Sequence, residues 1–182
     1  MKKLGVREVV AIGIGTALFV VVGFVSIPLG FVPNTDLYPK MGILGFFAAL
    51  FGPVVGLAIG LIGDLISSLI GGGIWWSWLI PMGVPGLCIG LFASKYHIED
   101  GTFGTKEIVT FNIAQVIGNA IAWIFLAPVL DIIIYAEPAN KVFFQGIWAF
   151  IGNIICTAII GTLLILAYSK IAGRSTGLKK ED

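Results

Sequence analysis

A single carboxylate lies deep inside an apolar stretch of this sequence. Asp64 is surrounded by Leu, Ile and Gly, and no Lys, Arg or His is predicted to lie at the same depth. An ionisable side chain in such a place is a candidate for binding an ion or a substrate, because a buried charge is costly. The alternative is that Asp64 lies about a turn and a half from its helix end, where Ser67, Ser68 or water solvates it and it fixes the following loop.

Neutral amide side chains recur at helical spacing later in the chain. Asn112, Gln115 and Asn119 follow an i, i+3, i+7 pattern, and Gln145 and Asn153 lie two turns apart in another apolar stretch. Counted from the helix ends, Asn119 and Asn153 have similar depths, so their amides are expected to converge on one ligand. Asn112 and Gln115 are explained at least as well by hydrogen bonds between helices.

The five tryptophans are all predicted near one membrane interface. This distribution is typical of an aromatic belt, but Trp123 follows Asn119 by four residues and Trp148 lies within about a turn and a half of Asn153. Indole rings beside neutral amides suit a flat, polar, largely uncharged ring compound, held by stacking and paired hydrogen bonds. The predicted substrate-binding residues are Asp64, Trp78, Asn119, Trp123, Gln145, Trp148 and Asn153.

No catalytic set or metal site emerges from the residue types. His97 is the only histidine and is predicted in a loop beside Glu99 and Asp100, so it offers neither a metal site nor an assisted nucleophile. Cys88 and Cys156 lie in apolar runs without a CxxC or Cys/His spacing, which indicates packing residues. There is no P-loop pattern either. We therefore predict no enzymatic activity, no cofactor and no bound metal.

The composition requires a membrane around the elements that position these residues. The chain has 182 residues, of which 58% are hydrophobic and 12% charged, whereas soluble domains average roughly 25% charged residues. A membrane-crossing helix uses roughly 20 residues, so this length allows six crossings joined by short connections. The balance of 11 basic against 10 acidic residues leaves no basic face for nucleic acid.

The number of crossings depends on the Gly52-Pro53 break in the apolar run 41–70, which could be one long helix or two short ones. With two helices, every basic residue except Lys40 and Lys141 faces one side, whereas one helix largely removes this positive-inside bias. We therefore predict an all-α integral membrane protein with both termini in the cytoplasm. Residues 1–182 would form a single membrane domain with six transmembrane helices at about 9–27, 40–52, 53–70, 78–94, 108–128 and 144–168.

The chain combines a first helix rich in small residues, a Pro-rich loop after it, Phe51-Gly52-Pro53 at the third helix and Gly63-Asp64 within that helix. With six short spans, it resembles the substrate-binding S components of energy-coupling factor (ECF) vitamin transporters. The resemblance implies a subunit of a bacterial cytoplasmic membrane that binds a small vitamin from outside and works with a transmembrane coupling (T) subunit and two cytoplasmic ATPases. The sequence looks most like members assigned to hydroxymethylpyrimidine, the thiamine precursor, or to pyridoxine-like compounds.

In that family an Ala-x-x-x-Ala face of the first helix docks on the coupling subunit. The matching positions here are either Ala11 and Gly15 or Gly13 and Ala17, so Gly replaces one Ala in each register. Both registers allow helices to approach closely. The alternative for these small residues is ordinary packing of the first helix inside the protein.

A stand-alone secondary transporter is the main alternative function. In such a carrier Asp64 would be the proton or sodium site, and the purified protein would catalyse gradient-driven uptake by itself. A membrane enzyme is disfavoured, because the apolar spans offer one carboxylate and no histidine.

Overall fold

A computed structural model of the chain describes residues 4–28, 30, 32 and 35–178, with the backbone alone for 175–178. These residues are mostly helical, and a two-stranded antiparallel hairpin of β1 (Ile27–Pro28) and β2 (Asp36–Leu37) follows the first helix. The helices in chain order are α1 (Val6–Gly23), α2 (Lys40–Phe51), α3 (Pro53–Ile70), α4 (Trp76–Leu79), α5 (Gly83–Gly90), α6 (Thr105–Asn119), α7 (Ala127–Tyr135), α8 (Ala139–Cys156) and α9 (Thr162–Leu178).

Several of these helices join into longer rods. A 3-10 turn (Ile80–Met82) links α4 to α5, and π-helical segments (Ala120–Leu126 and Thr157–Gly161) link α6 to α7 and α8 to α9. Within the described chain, five rods are long and apolar enough to cross a membrane: Val6–Gly23, Pro53–Ile70, Trp76–Lys95, Thr105–Tyr135 and Ala139–Arg174. The all-α membrane class is thus supported.

A sixth crossing, in addition to these five rods, would be α2, which corresponds to the predicted span 40–52 and is shorter than the five rods. Its 12 residues extend about 18 Å at 1.5 Å per residue, less than the roughly 30 Å of a bilayer's hydrocarbon core. The sixth crossing and the cytoplasmic position of both termini therefore remain predictions.

The apolar run 41–70 is divided at Gly52. The φ of Gly52 is 93°, a conformation that residues with a Cβ rarely adopt. Pro53 occupies the first position of α3, where its missing N–H costs no helical hydrogen bond. Lys40, the first residue of α2, lies beside Asp64 near the end of α3, so the two helices form an antiparallel hairpin.

Glycines bring α3 and α5 into close contact. A Cβ at Gly56 would collide with the Gly86 carbonyl group, and a Cβ at Gly60 would collide with the Met82 carbonyl oxygen. Small residues let helix backbones approach in this way inside a membrane. This glycine seam holds the first half of α3 against α5 and the 3-10 turn before it.

Buried aromatic and aliphatic side chains fill the bundle. Phe19 and Ile59 are fully buried where α1 and α3 pack together. Farther along the bundle Tyr96 and Phe111 are also fully buried, with ring centroids 6.0 Å apart in an edge-to-face arrangement. The Tyr96 hydroxyl donates to the Ile89 carbonyl oxygen at 2.9 Å, and burial raises the pKa of Tyr96.

Residues from the beginning and the end of the described chain lie at one end of the bundle, the Arg7 end. Arg7 forms an ion pair with Glu99 in the loop after α5, and its guanidinium carbon lies 5.3 Å from the ring centroid of Phe51. Gly173 of α9 lies against Gly101 of the same loop. Because Phe51 ends α2, this helix runs to the Arg7 end from the opposite end, where α3 ends and α4 begins.

Candidate functional site

A cavity of about 360 Å³ lies at the end of the bundle opposite Arg7, which we call the cavity end. Its walls come from β2, from the first turn of α2, from the end of α3, from the beginning of the α4–α5 rod, from the π-helical segment Ala120–Leu126 and α7, and from one face of α8. This volume lies within the range of small-molecule sites, roughly 300–1,000 Å³. Five rods and a hairpin thus converge on one space large enough for a ring compound.

A buried ion pair forms one wall of the cavity. The Lys40 Nζ atom lies 2.9 Å from Asp64 Oδ1, and the two residues are 5% and 9% exposed. The ammonium group also lies 4.7 Å from the ring centroid of Phe19 and 4.8 Å from that of Tyr38, in cation–π range. The expectation that no cation lies near Asp64 is therefore wrong, because the α2–α3 hairpin places the first residue of α2 beside Asp64.

A second buried carboxylate, Asp131, organises the aromatic side of the cavity. It is 2% exposed and accepts hydrogen bonds from Trp75 Nε1 at 2.8 Å, from Trp78 Nε1 at 2.7 Å and from the Ser77 hydroxyl. Residue 131 lies beyond the predicted span 108–128, whereas α7 continues to Tyr135. The spacing of Trp123, Ala127 and Asp131, one every four residues, was the signal that would have identified it.

Two indole rings form an aromatic corner of the cavity. The ring centroids of Trp78 and Trp123 are 5.4 Å apart, with planes inclined by 34°. Trp123 Nε1 donates to Asn119 Oδ1 at 3.0 Å, and the Asn119 amide donates to the backbone oxygen and the side-chain oxygen of Gln115 at 2.9 and 3.1 Å. Hydrogen bonds that run from Trp123 through Asn119 to Gln115 therefore hold the Trp123 ring in position.

The backbone that carries Trp123 departs from a regular α-helix. Residues Ala120–Leu126 form a π-helical segment. Pro128, which follows it, has no N–H group to continue the regular hydrogen-bond ladder. Wide turns of this kind occur most often at functional sites. Trp123 lies at the middle of this segment.

The hairpin side of the cavity carries a carboxylate and a phenol. Asp36 Oδ2 accepts a hydrogen bond from the Ser26 hydroxyl at 2.7 Å. Burial raises the pKa of Tyr38 to about 12, and the nearby Asp36 and Asp64 carboxylates and a hydrogen bond to Asp36 act in the same direction. Tyr38 is therefore a neutral phenol, able to donate a hydrogen bond, across the physiological pH range.

The rim of the cavity is held by exposed contacts. Lys141 Nζ lies 2.7 Å from Glu137 Oε2 across one turn. The Trp75 and Tyr135 rings stack with centroids 4.3 Å apart, and the Tyr135 hydroxyl oxygen accepts a hydrogen bond from the Trp76 backbone N–H at 3.1 Å. These contacts join the beginning of α4 to the α7–α8 turn.

Residues 3–170 match the family model described as the S component of ECF-type riboflavin transporters. The chain belongs to this family. It is 48% identical over 183 residues to a UPF0397 protein of Lacticaseibacillus casei (strain BL23), with 100% of this chain and 98% of the relative covered. It is also 46% identical over 180 residues to the UPF0397 protein spr0429 of Streptococcus pneumoniae (strain ATCC BAA-255 / R6), with 98% of each chain covered.

Membership in the S-component family makes this chain a multi-pass membrane protein of a bacterial transport system rather than a member of an enzyme family. S components of ECF transporters are substrate-binding subunits that work with a T subunit and ATPases. A cavity for a small molecule is what such a subunit requires.

The structure brings most of the predicted substrate-binding residues of this S component to the cavity and leaves two outside its wall. Asn119 is fully buried behind Trp123, and its amide is occupied by Gln115, so the amides of Asn119 and Asn153 do not converge on one space. Trp148 is half-buried on a neighbouring stripe of α8, with its ring 6.4 Å from that of Phe144. The predicted residues that line the cavity are Asp64, Trp78, Trp123, Gln145 and Asn153.

The other two amides of α6 lie near neighbouring helices, as the structural alternative proposed. Gln115 Nε2 donates to the Ile154 carbonyl oxygen of α8 at 3.3 Å. Asn112 Nδ2 donates to the Thr162 hydroxyl of α9 at 3.4 Å and to the Ile108 carbonyl oxygen of its own helix at 2.9 Å.

The expectation that neutral groups line the site is wrong. Among the described residues of the wall, the ionisable acids and bases are Asp36, Lys40, Asp64, Asp131, Glu137 and Lys141. Asp36, Asp131, Glu137 and Lys141 lie outside the predicted spans, and Lys40 is the first residue of one. Packing of the hairpin and of α7 brings them together.

The two registers of small residues on α1 face different surroundings. Ala11 is 4% exposed, and a Cβ at Gly15 would collide with the Ile59 side chain. Gly13 and Ala17 are exposed, and a Cβ at Gly13 would meet nothing within 4 Å. The first pair is therefore occupied by packing inside the bundle, whereas the second pair is free to meet another helix.

Proposed function

We propose that this chain captures a small ring-containing vitamin or vitamin precursor from outside the cell. It then delivers the compound inward together with a T subunit and two cytoplasmic ATPases. The observation that carries the proposal is the cavity of about 360 Å³ with Trp78 and Trp123 in its wall, in a chain whose family consists of importer subunits. The resemblance favours hydroxymethylpyrimidine or pyridoxine-like compounds, and the family description adds riboflavin as a third candidate.

The charge distribution supports an outward-facing cavity. Basic residues concentrate on the cytoplasmic side of membrane proteins. At the cavity end the basic residues of the described chain are Lys40 and Lys141, whereas the Arg7 end carries Arg7, Lys95, Lys106, Lys170 and Arg174. Because α2 also runs between the two ends, we count it as a short sixth span and assign residues 7 and 173 to the cytoplasmic side.

The exposed pair on α1 supports a docking face for the T subunit. Gly13 and Ala17 lie one turn apart on a surface without neighbouring side chains at Gly13. Small residues at such a spacing let a second helix approach closely within a membrane. We therefore assign the coupling register to Gly13 and Ala17 rather than to Ala11 and Gly15.

The stand-alone carrier is disfavoured by the partner of Asp64. A proton or sodium site needs a carboxylate that is available to the ion, but Lys40 Nζ already lies 2.9 Å from Asp64 Oδ1. The pair thus supplies its own counter-charge.

Reconstitution in liposomes tests the proposed function. The chain alone, with an imposed proton or sodium gradient, is compared with the chain plus a T subunit, two ATPases and internal ATP, using labelled pyridoxine, hydroxymethylpyrimidine, riboflavin and thiamine. We expect accumulation of at least one compound only in the complete system, and none with ATPases that cannot hydrolyse ATP. Gradient-driven uptake by the chain alone would contradict the proposal.

A further inference from the structure

The charges in the cavity wall do not cancel. Lys40 lies 2.9 Å from Asp64 and Lys141 lies 2.7 Å from Glu137, so each lysine of the wall already has a carboxylate partner. Two carboxylates, Asp36 and Asp131, remain without a cationic partner among the described residues. Asp131 is buried and Asp36 is half-buried, and removing a carboxylate from water without a counter-charge is costly.

The hydrogen bonds of these two carboxylates come from neutral donors. Asp131 receives the indole N–H groups of Trp75 and Trp78 and the Ser77 hydroxyl, and Asp36 receives the Ser26 hydroxyl and a hydrogen bond from Tyr38. Neutral donors solvate a carboxylate but leave its charge in place. The empty space beside them therefore has a negative potential.

The aromatic corner offers ring carbons rather than polar atoms to the cavity. The N–H group of Trp78 is bound to Asp131 and that of Trp123 to Asn119. The indole rings are thus available for stacking and for attraction of a cation, to which tryptophan is the best aromatic partner.

One polar side chain in the wall is available to a ligand. Asn153 lines the cavity and is 5% exposed, and its amide makes no hydrogen bond to another described residue. Buried amides normally find partners. Because an amide offers both a donor and an acceptor, Asn153 is suited to the hydrogen-bonding edge of a heterocycle.

We infer that the ligand of this cavity is a flat aromatic heterocycle that carries a positive charge on its ring. Trp78 and Trp123 stack on it, Asn153 binds its polar edge, and Asp36 and Asp131 supply the counter-charge. This inference rests on the proposed function and replaces the neutral ring compound expected from the sequence.

Matched probe pairs that differ in charge test the inference. Calorimetric titration of the purified full chain compares thiamine, a thiazolium cation, with 3-deazathiamine, its neutral thiophene isostere. A second titration compares 1-methylnicotinamide, a pyridinium cation, with nicotinamide. Two unit charges in a partly buried site attract strongly, so we expect the cation of at least one pair to bind about 10- to 100-fold more tightly. Equal affinities, tighter neutral partners, or no binding of either cation at millimolar concentration would overturn the inference.

Substitutions test whether Asp36 and Asp131 cause the preference for the cationic probe. Asp131→Asn and Asp36→Asn each keep the side-chain shape, and we expect each to lower the cation preference by about tenfold while the neutral probe is affected less. Asp100→Asn is the matched control, because this carboxylate is 71% exposed in the loop at the Arg7 end. A preference that survives both cavity variants contradicts the assignment.

The titration and the liposome experiment fail in different ways. Lack of charge preference in a chain that still assembles with its T subunit and imports a neutral ring compound refutes only the cationic ligand. Uptake by the chain alone refutes the S-component mechanism, whatever charge the ligand carries.

Discussion

The buried pair of Lys40 and Asp64 is the residue contact on which the cavity wall most depends. Pairing reduces the cost of burying each charge, and removal of one partner leaves the other uncompensated. The pair at the rim, Lys141 with Glu137, has a similar distance but lies in solvent, where such pairs contribute little.

Replacement of one partner of the buried pair should therefore destabilise the protein strongly. We expect Lys40→Met to lower the free energy of unfolding by about 3–5 kcal/mol. The double variant Lys40→Met/Asp64→Leu should regain most of this loss, because no charge is then left unpaired. Lys141→Met, the control, should change it by less than about 1 kcal/mol. Thermal unfolding in detergent measures all three, and equal losses in the single and double variants would show that the two charges are not coupled.

At the scale of residues, spacing alone predicted part of the cavity wall. Trp78, Trp123 and Asn153 were identified because apolar helices expose few other groups that could bind a ligand. Lys40 and Asp131 were missed because each lies at the end of an apolar run, and the depth of such a residue depends on packing. Asn119 was placed at the ligand because its spacing does not reveal that Gln115 occupies its amide.

At the scale of elements, α1 presents two faces with opposite roles. The face with Ala11 and Gly15 packs on α2 and α3, and the face with Gly13 and Ala17 is exposed. A bulky side chain on the exposed face should consequently interfere with assembly with the T subunit. A bulky side chain on the packed face should interfere with folding.

Gly13→Trp should block assembly while ligand binding is retained. The position has space for a side chain, but a large one would keep a second helix away from the backbone. Leu18→Trp is the control, since Leu18 is 43% exposed and lies about 100° around the helix from Ala17. Co-purification with a tagged T subunit is the measurement. Full recovery of the Gly13→Trp complex would show that the T subunit does not dock on this face of α1.

The ends of two helices were predicted too early. The fifth and sixth predicted spans ended at residues 128 and 168, whereas the rods continue to Tyr135 and beyond Arg174. The end of α9 is polar and carries no hydropathy signal, whereas residues 129–135 are apolar apart from Asp131, and the helix continues through Pro128. The π-helical segments were not predicted either, because a wide turn depends on local hydrogen bonding rather than on periodicity.

At the scale of the whole molecule, the two ends of the bundle should lie in different compartments. Gly73 is exposed near the cavity end, and Ser94 is exposed near the Arg7 end. Single cysteines at these positions report on the two sides of the membrane independently of the ligand.

Gly73→Cys should react with a membrane-impermeant maleimide in intact cells, whereas Ser94→Cys should react only after the membrane is opened. Both are made in a chain with Cys88→Ala and Cys156→Ala, so that the native thiols cannot react. The topology follows from the positive-inside distribution of basic residues. Labelling of Ser94→Cys in intact cells, with Gly73→Cys protected, would show that the protein has the opposite orientation in the membrane. The cavity would then not open to the outer side.

The glycine seam between α3 and α5 has a mechanical consequence. Where Gly56 meets Gly86, the two backbones touch and no layer of flexible side chains remains to absorb shear. We therefore expect α3 and α5 to move together rather than to slide past each other. Any opening of the cavity toward the other compartment would then have to keep this pair of helices intact.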